Sequence, residues 1–197
     1  VLEKIQHHSI IHLGNMQDHS SLRRKSLRLK DFDYSQPGAY FVTIVAHQRE
    51  CLFAKIPWQD VAEMDTFTAI KLTAFGEAVL FTWGDLVNHV RGIELGPFVV
   101  MPNHVHGIIY IIETEDGVGA GSVPAPGLRK VTLPEIVRQV KTHSGRRINA
   151  LRGTPGAPVW QRNYYEHVIR NQKELQRIAD YIMDNPRRWM EDPEYRE

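Results

Sequence analysis

Apolar and polar positions along this chain alternate between two periods, and the alternation divides the chain into elements. "GAYFVTIVAH" (38–47) is β-branched and aromatic, which predicts a strand. "CLFAKI" and "FTAIKL" (67–72) suggest a short hairpin. From Thr73 the period lengthens: Gly76, Val79, Leu80, Trp83 and Val87 fall at helical spacing, and Gly92 ends the run. "IELGPFVVM" and "HVHGIIYII" read as two strands joined by Pro102-Asn103, a turn pair. Thr132 and Glu135 form a capping box before a helix with the stripe Leu133, Ile136, Val137 and Val140, which turns Arg138 and Lys141 outward. "VWQRNYYEHVI" (159–169) predicts another strand. Asn171 and Glu174 open a last helix, with Leu175, Ile178 and Ile182 inward and a stop at Pro186.

The order β-α-β-β-α-β followed by a helix predicts an α+β, ferredoxin-like split βαβ fold. It has one antiparallel sheet, helices on one face and an added C-terminal helix. Such a fold hosts many functions and selects none of them. Within it, His104 and His106 fall on the same face of their strand while Val105 points to the other, under the helices. Two imidazoles so placed on the open sheet face either converge on one ion or form a plain surface pair. Tyr181 and Asn185, four residues apart on the last helix, border its apolar stripe and so face the sheet edge. A phenol, an amide oxygen and two imidazoles can thus meet above one sheet. An ordinary boundary tyrosine and a helix-ending asparagine fit the same spacing.

Composition narrows the class without deciding it. The chain has 197 residues, 42% hydrophobic and 24% charged, as expected for one domain of ordinary globular type. Its single cysteine, Cys51, forms no internal disulfide, and no Cys/His cluster suggests structural zinc. No apolar run reaches the ~20 residues of a membrane helix, and the start lacks signal-peptide character, so the expected compartment is the cytoplasm. Net charge is +1, but its distribution is uneven. "LRRKSLRLK" (22–30) carries no acid, and 128–152 holds seven cations against Glu135 alone, whereas 60–94 leans acidic. Two basic segments suit a phosphate backbone, or simply a solvated face and a tail. Residues 1–30 read as a loosely ordered basic arm, and 31–197 as a single domain. The Gly/Pro-rich 114–127 reads as a loop.

"MPNHVHGII" together with "VWQRNYYEHVIRNQKELQRIADYIMDNP" resembles the HUH single-tyrosine transposases of insertion sequences, closest to their REP-associated and free-standing relatives. The resemblance runs from about Arg24 to Trp189. His104-Val105-His106 matches the H-U-H core, and Tyr181 to Asn185 matches the Tyr-Ile-x-x-Asn or Gln stretch that carries the nucleophile. Many insertion-sequence members have Gln where Asn185 stands; the shorter residue looks like the REP-associated type.

The resemblance implies a transposase that nicks and rejoins single-stranded DNA, directed by sequence or by a hairpin. Tyr181 would attack a phosphate to give a 5′-phosphotyrosine bond and a 3′-hydroxyl, conserving the bond energy for strand transfer. His104, His106 and the Asn185 oxygen would hold a divalent ion, Mg²⁺ or Mn²⁺, that polarises the phosphate. Candidate phosphate contacts are Arg23, Arg24, Lys25 and Arg28 on the arm, Lys141, Arg146 and Arg147 on the second helix, and Arg187 and Arg188 after the last. Trp160, Tyr164 and Trp189 are stacking candidates, with core packing favoured for Trp160.

The implied partner is single-stranded DNA, with hairpin or repeat ends. Relatives act as homodimers that exchange the tyrosine helix, or as monomers. The main alternative is a non-catalytic DNA-binding descendant of a transposase. A metal-dependent hydrolase would want further ligands, and Asp180 and Asp184 point away from Tyr181. Nothing supports the paired tyrosines or helicase of a relaxase. Tyr164 and Tyr165 compete with Tyr181 but sit on a predicted strand, without an oxygen ligand at helical spacing.

Overall fold

The computed structural model describes residues 32–56, 70–113 and 131–196. The basic arm with Arg23, Arg24, Lys25 and Arg28, and the Gly/Pro-rich stretch 114–127, lie outside the described residues.

The elements follow the predicted order. They are β1 (Gly38–Val45), β2 (Ala54–Lys55), β3 (Lys71–Leu72), α1 (Ala74–His89), β4 (Ile93–Val100), β5 (His104–Ile111), α2 (Leu133–Arg152), β6 (Tyr165–Ile169) and α3 (Gln172–Asp184). A 3₁₀ segment, Asn185–Glu191, continues α3. The sheet order β4-β5-β1-β6, with β5 and β6 both antiparallel to β1 and β4 antiparallel to β5, is the ferredoxin-like arrangement. The expected hairpin forms between β2 and β3.

Local chemistry explains the boundaries. Thr73 caps α1 by accepting the Gly76 amide, and its hydroxyl donates to the Leu52 carbonyl at 2.6 Å. Gly76 is obligatory, since a Cβ there would lie 2.0 Å from the Phe53 carbonyl oxygen. Thr132 caps α2 by accepting the Glu135 amide, and Gly153 closes that helix in the left-handed region, φ 66°. Asn171 caps α3 by accepting the Glu174 amide. β4 tolerates Pro97 because it is an edge strand, and its register slips between Leu95 and Phe98.

Three expectations need correction. The α1 stripe is Val79, Trp83 and Leu86, while Leu80 and Val87 are exposed. The helix meets the sheet about a third of a turn away from the face that the Leu80–Val87 spacing suggested. Only Tyr165–Ile169 of the segment 159–169 is a strand in the main sheet; Trp160 makes an isolated bridge to Ala46, and the residues between turn away. The face bearing the histidines is not open. α1 and α2 cover one face, where Val42, Ile44, Val105 and Ile109 pack with Trp83, Ile136 and Val140. α3 and the 3₁₀ segment cover the other, with Ile178, Ile182 and Trp189 over Phe41, Met101 and Ile108.

Candidate active site

The site forms where β5 passes beneath α3. Alternation on β5 sends His104, His106 and Ile108 to the α3 side, and Val105 and Ile109 to the core beneath α1 and α2. Gly107, between them, leaves Trp83 room against the strand; a Cβ there would approach the indole to 2.6 Å. His104 and His106 are both buried, which isolated imidazoles avoid unless their nitrogens are engaged.

The two outer ring nitrogens are engaged. His104 Nδ1 lies 2.9 Å from Asn103 Oδ1, and His106 Nδ1 lies 2.8 Å from Thr43 Oγ1, the residue opposite it on β1. Asn103 Nδ2 donates to the carbonyls of Glu194 at 2.7 Å and Arg49 at 3.3 Å, which fixes the orientation of the amide. Its oxygen can therefore only accept. His104 must donate from Nδ1, and its Nε2 is left with a lone pair. The two Nε2 atoms point at one another, 2.9 Å apart.

Further groups converge on this pair. Asp192 Oδ2 lies 3.9 Å from His104 Nε2 and 3.8 Å from His106 Nε2. The Tyr181 hydroxyl is 3.4 Å from His106 Nε2 and 3.4 Å from Asp192 Oδ2. Asn185 Nδ2 donates to Asp192 Oδ2 at 3.0 Å, and Asn185 Oδ1, also buried, has no hydrogen-bond partner. Phe41 stacks on His106 and presents its edge geometry to Tyr181, walling the phenol on one side. Within the chain, α3 carries the Tyr181 ring to the His106 imidazole.

Electrostatics follow from this crowding. Burial drives the His104 pKa well below the ordinary histidine value, helped by His106 and opposed by Asp192. Burial pushes Asp192 upward but is outweighed by His106, His104, the Asn185 amide and the Glu194 N–H, which hold the carboxyl below its usual range. Burial, then the Asp192 charge, raises the Tyr181 phenol above its ordinary value, against smaller opposing effects of Asn185 and Arg188. A neutral imidazole, an ionised carboxylate and a protonated phenol therefore share the site at neutral pH.

This donor set fits a divalent ion. His104, His106 and Asp192 each offer one atom, and these lie within 4.8 Å of one another. Two nitrogens 2.9 Å apart are what two imidazoles at about 2.1 Å from one ion subtend near a right angle. The orphaned Asn185 oxygen is a further donor without a partner.

The sequence reasoning missed Asp192. It lies past Pro186 in "MEDPEY", outside any periodic pattern, and no local signal sets it apart from Glu191 or Glu194. Asp192 reaches the site because the C-terminal segment folds back as a strap. Arg49 Nε holds Glu194 at 2.5 Å, and Asn103 holds the Glu194 carbonyl. Gln48 and Arg49, under the strap, adopt left-handed φ of 55° and 59°, which non-glycine residues seldom do.

The predicted DNA contacts divide. Arg146, Arg187 and Arg188 are exposed, Arg188 being paired with Glu191. Arg147 stands 3.8 Å from Asp85 and over the Phe81 ring. The Lys141 ammonium donates to three main-chain carbonyls, those of Gln161, Arg162 and Asn163. Trp160 is buried, its indole donating to Ser144 Oγ, and Trp189 packs against His104. Both tryptophans are therefore structural and do not present a free face for bases. Tyr165 is exposed and touches the edge of Phe41. Asp180 is exposed and accepts from Gln176, away from the site.

Two buried histidines and a buried aspartate, with a partly exposed tyrosine beside them, thus meet on a ferredoxin-like sheet. An "Uncharacterized protein" of Haemophilus influenzae is 36% identical over 179 residues, covering 87% of this chain and 93% of that one. A "Putative REP-associated tyrosine transposase" of the same organism is 23% identical over 154 residues, covering 78% of this chain and 73% of the relative. Among solved structures, a REP-associated tyrosine transposase bound to a REP hairpin aligns with TM-score 0.44 and 22% identity, over 85% of this chain and 73% of that one. A crystal structure of a transposase from Deinococcus radiodurans, described as putative, aligns with TM-score 0.41 and 18% identity, over 80% and 95%. No family model matches the chain. The chain and the 36% identical Haemophilus protein belong to one family, and the chain is similar to a relative named as a REP-associated tyrosine transposase. No helix among the described residues is long and apolar enough to cross a membrane.

Proposed function

We propose that the protein is a metal-dependent DNA-nicking and -joining enzyme that acts on single-stranded DNA at hairpin or repeat ends through a covalent tyrosine intermediate. One observation carries the reading: the Tyr181 hydroxyl sits within 3.4 Å of both His106 Nε2 and Asp192 Oδ2, beside a donor set that fits an ion. The similarity to a relative named as a REP-associated tyrosine transposase supports the same class of substrate.

His104 Nε2, His106 Nε2 and Asp192 Oδ2 would hold the ion, with the Asn185 oxygen as a fourth donor. A bound Mg²⁺ or Mn²⁺ supplies Lewis-acid polarisation of the scissile phosphate and charge neutralisation at the leaving oxygen. Two imidazoles with one carboxylate suit Mn²⁺ better than Mg²⁺.

The remaining steps belong to the chain's own side chains. Asn103 keeps His104 in the tautomer that leaves Nε2 free, and Thr43 orients His106. Phe41 fixes the Tyr181 ring in place. The phenol must lose its proton to attack, and the neighbouring acceptor with lone pairs to spare is the Asp192 carboxylate; such contacts are often long before substrate binds. Tyr181 Oη then forms a bond to phosphorus as the bond to the 3′ oxygen breaks. The leaving oxygen takes a proton and departs as a 3′-hydroxyl, and the 5′ side stays on the enzyme. Attack by another 3′-hydroxyl reverses the sequence and restores the phenol, so no external energy source is needed.

The test incubates purified protein with hairpin-bearing single-stranded DNA and Mn²⁺, then resolves the products on a denaturing gel. A covalent protein–DNA adduct is expected, lost on chelation and in Tyr181→Phe but retained in Tyr165→Phe. Bound but intact DNA would identify a non-catalytic binder instead, and an adduct that survives Tyr181→Phe would reject the nucleophile.

A further inference from the structure

A cleft lies on the α2 side of the sheet, away from the imidazole face. It is a trough of about 630 Å³ between the second half of α2 (Lys141–Ala150) and the returning segment Pro155–Arg162. That volume is within the roughly 300–1,000 Å³ of ligand-binding clefts. Its floor is kept low by small residues. Gly145 lacks a side chain over Val159, so that even an added Cβ would remain 4.0 Å away, and Ala150, Gly156 and Ala157 continue the depression. Its wall is rigid, because Lys141 ties three consecutive carbonyls of the returning segment and Trp160 beneath is anchored to Ser144.

The charge of the trough is one-sided. Lys141, Arg146 and Arg162 line it, with no acidic residue. Lys141 is committed to the wall, but Arg146 and Arg162 have no acidic partner among the described residues, unlike Arg138 and Arg147 on the same helix. Two free guanidinium groups at the rim of a trough with small apolar residues along its floor are complementary to a chain of phosphates that carries flat, apolar-faced bases.

Position links the trough to the chemistry. Its wall is hydrogen-bonded to the end of β1, with the Gln161 amide donating to the Val45 carbonyl at 2.9 Å and Trp160 bridging Ala46. Val45 is the register partner of His104. The Gln161 edge of the trough and the His104 backbone thus lie at the same end of the sheet, about two strand spacings, roughly 10 Å, apart, with the trough and the imidazoles on opposite faces.

We infer that this trough is a second DNA subsite, taking the single-stranded segment that flanks the scissile phosphate. Arg146 and Arg162 grip its phosphates and the floor over Gly145 accepts a base. The inference rests on the DNA-processing function proposed above and adds a site remote from the reacting atoms.

Fluorescence anisotropy with a labelled oligodeoxynucleotide, built as a hairpin with a single-stranded flank, tests it. The double variant Arg146→Ala/Arg162→Ala should weaken binding about tenfold and lower the salt dependence by roughly 1.4, two phosphates at about 0.7 each. Gly145→Leu fills the trough without changing charge and should also weaken binding about tenfold, as lost base contacts do. Arg138→Ala removes a cation already paired with Glu135 and should change neither quantity. Melting curves of each variant establish that the fold is intact.

At saturating DNA the adduct on Tyr181 should still form in the trough variants. Wild-type affinity in both Gly145→Leu and the double arginine variant overturns the subsite while leaving the nucleophile untouched. Loss of the adduct in Tyr181→Phe with unchanged anisotropy separates the two conclusions from the other side. Tighter binding of single-stranded RNA of the same sequence, or no wild-type binding of DNA, would also overturn the inference.

Discussion

The two faces of the sheet are built by opposite rules. Beneath α1 and α2, shape decides. Gly76 meets the Phe53 carbonyl, Gly107 makes room for Trp83, and Ile136, Val137 and Val140 fill the rest. Beneath α3, a smaller apolar cluster frames Thr43, His104, His106, Asn185 and Asp192, all buried and polar. Burying such groups costs free energy unless each finds a partner. Here nearly every nitrogen and oxygen does, the two Nε2 atoms with one another, and Asn185 Oδ1 is the exception. One face stabilises the fold; the other uses part of that stability to hold an unfinished coordination shell.

The contrast can be broken deliberately, beginning with the largest effect. Tyr181→Phe removes the nucleophile and should abolish the covalent adduct, a loss of at least about a thousandfold by gel quantification. It should shift the melting temperature little, because the ring and its contact with Phe41 remain. Ile136→Ala on the opposite face should do the reverse, costing about 2–5 kcal/mol in denaturant unfolding with the Mn²⁺ affinity of the folded protein unchanged. If metal binding fell with it, the faces would not be separable.

Asp192→Ala should weaken Mn²⁺ binding by about a hundredfold in calorimetric titration, and Asn103→Leu by roughly tenfold. The second loss would arise because His104 then loses the acceptor that fixes its tautomer and the strap loses its anchor. Equal affinity in both variants would mean that Asn185 alone supplies the oxygen ligand. The smallest effect concerns acid. His104 is depressed below its unfolded value, and Asp192 likewise, so in each case the unfolded chain binds the proton more readily. The stability they contribute is complete above the unfolded histidine pKa of about 6.5 and falls as pH drops below it, Asp192 adding its loss further down, near about 4. Metal-free protein should therefore melt lower at pH 5 than at pH 7, and His104→Gln should flatten that slope.

Much of this was legible along the chain. Period-2 alternation put His104 and His106 on one face, and i,i+4 spacing put Tyr181 above Asn185. The caps Thr132 and Asn171 fell where α2 and α3 begin. Strands and capped helices are short-range objects, so composition and spacing specify them. Failures occurred where a choice depended on a distant partner. Leu80 and Val87 fit a helical stripe as well as Leu86 does, and only the docking of α1 on the sheet, with Trp83 stacked on Phe98 of β4, settles which are buried. Residues 159–164 have a strand-like composition but face α2 more than β1, and Lys141 claims their carbonyls.

By itself, then, the sequence determined the set of elements, their order, and four of the groups that meet at the site, His104, His106, Tyr181 and Asn185, because each follows from periodicity over a few residues. The tertiary structure alone decided that the histidine face is covered rather than open and that a carboxylate eleven residues beyond Tyr181 joins the cluster. Those depend on where α3 and the strap dock, and docking is fixed by long-range contacts, from Ile178 and Ile182 on Ile108 to Asn103 and Arg49 on Glu194, that no local pattern encodes.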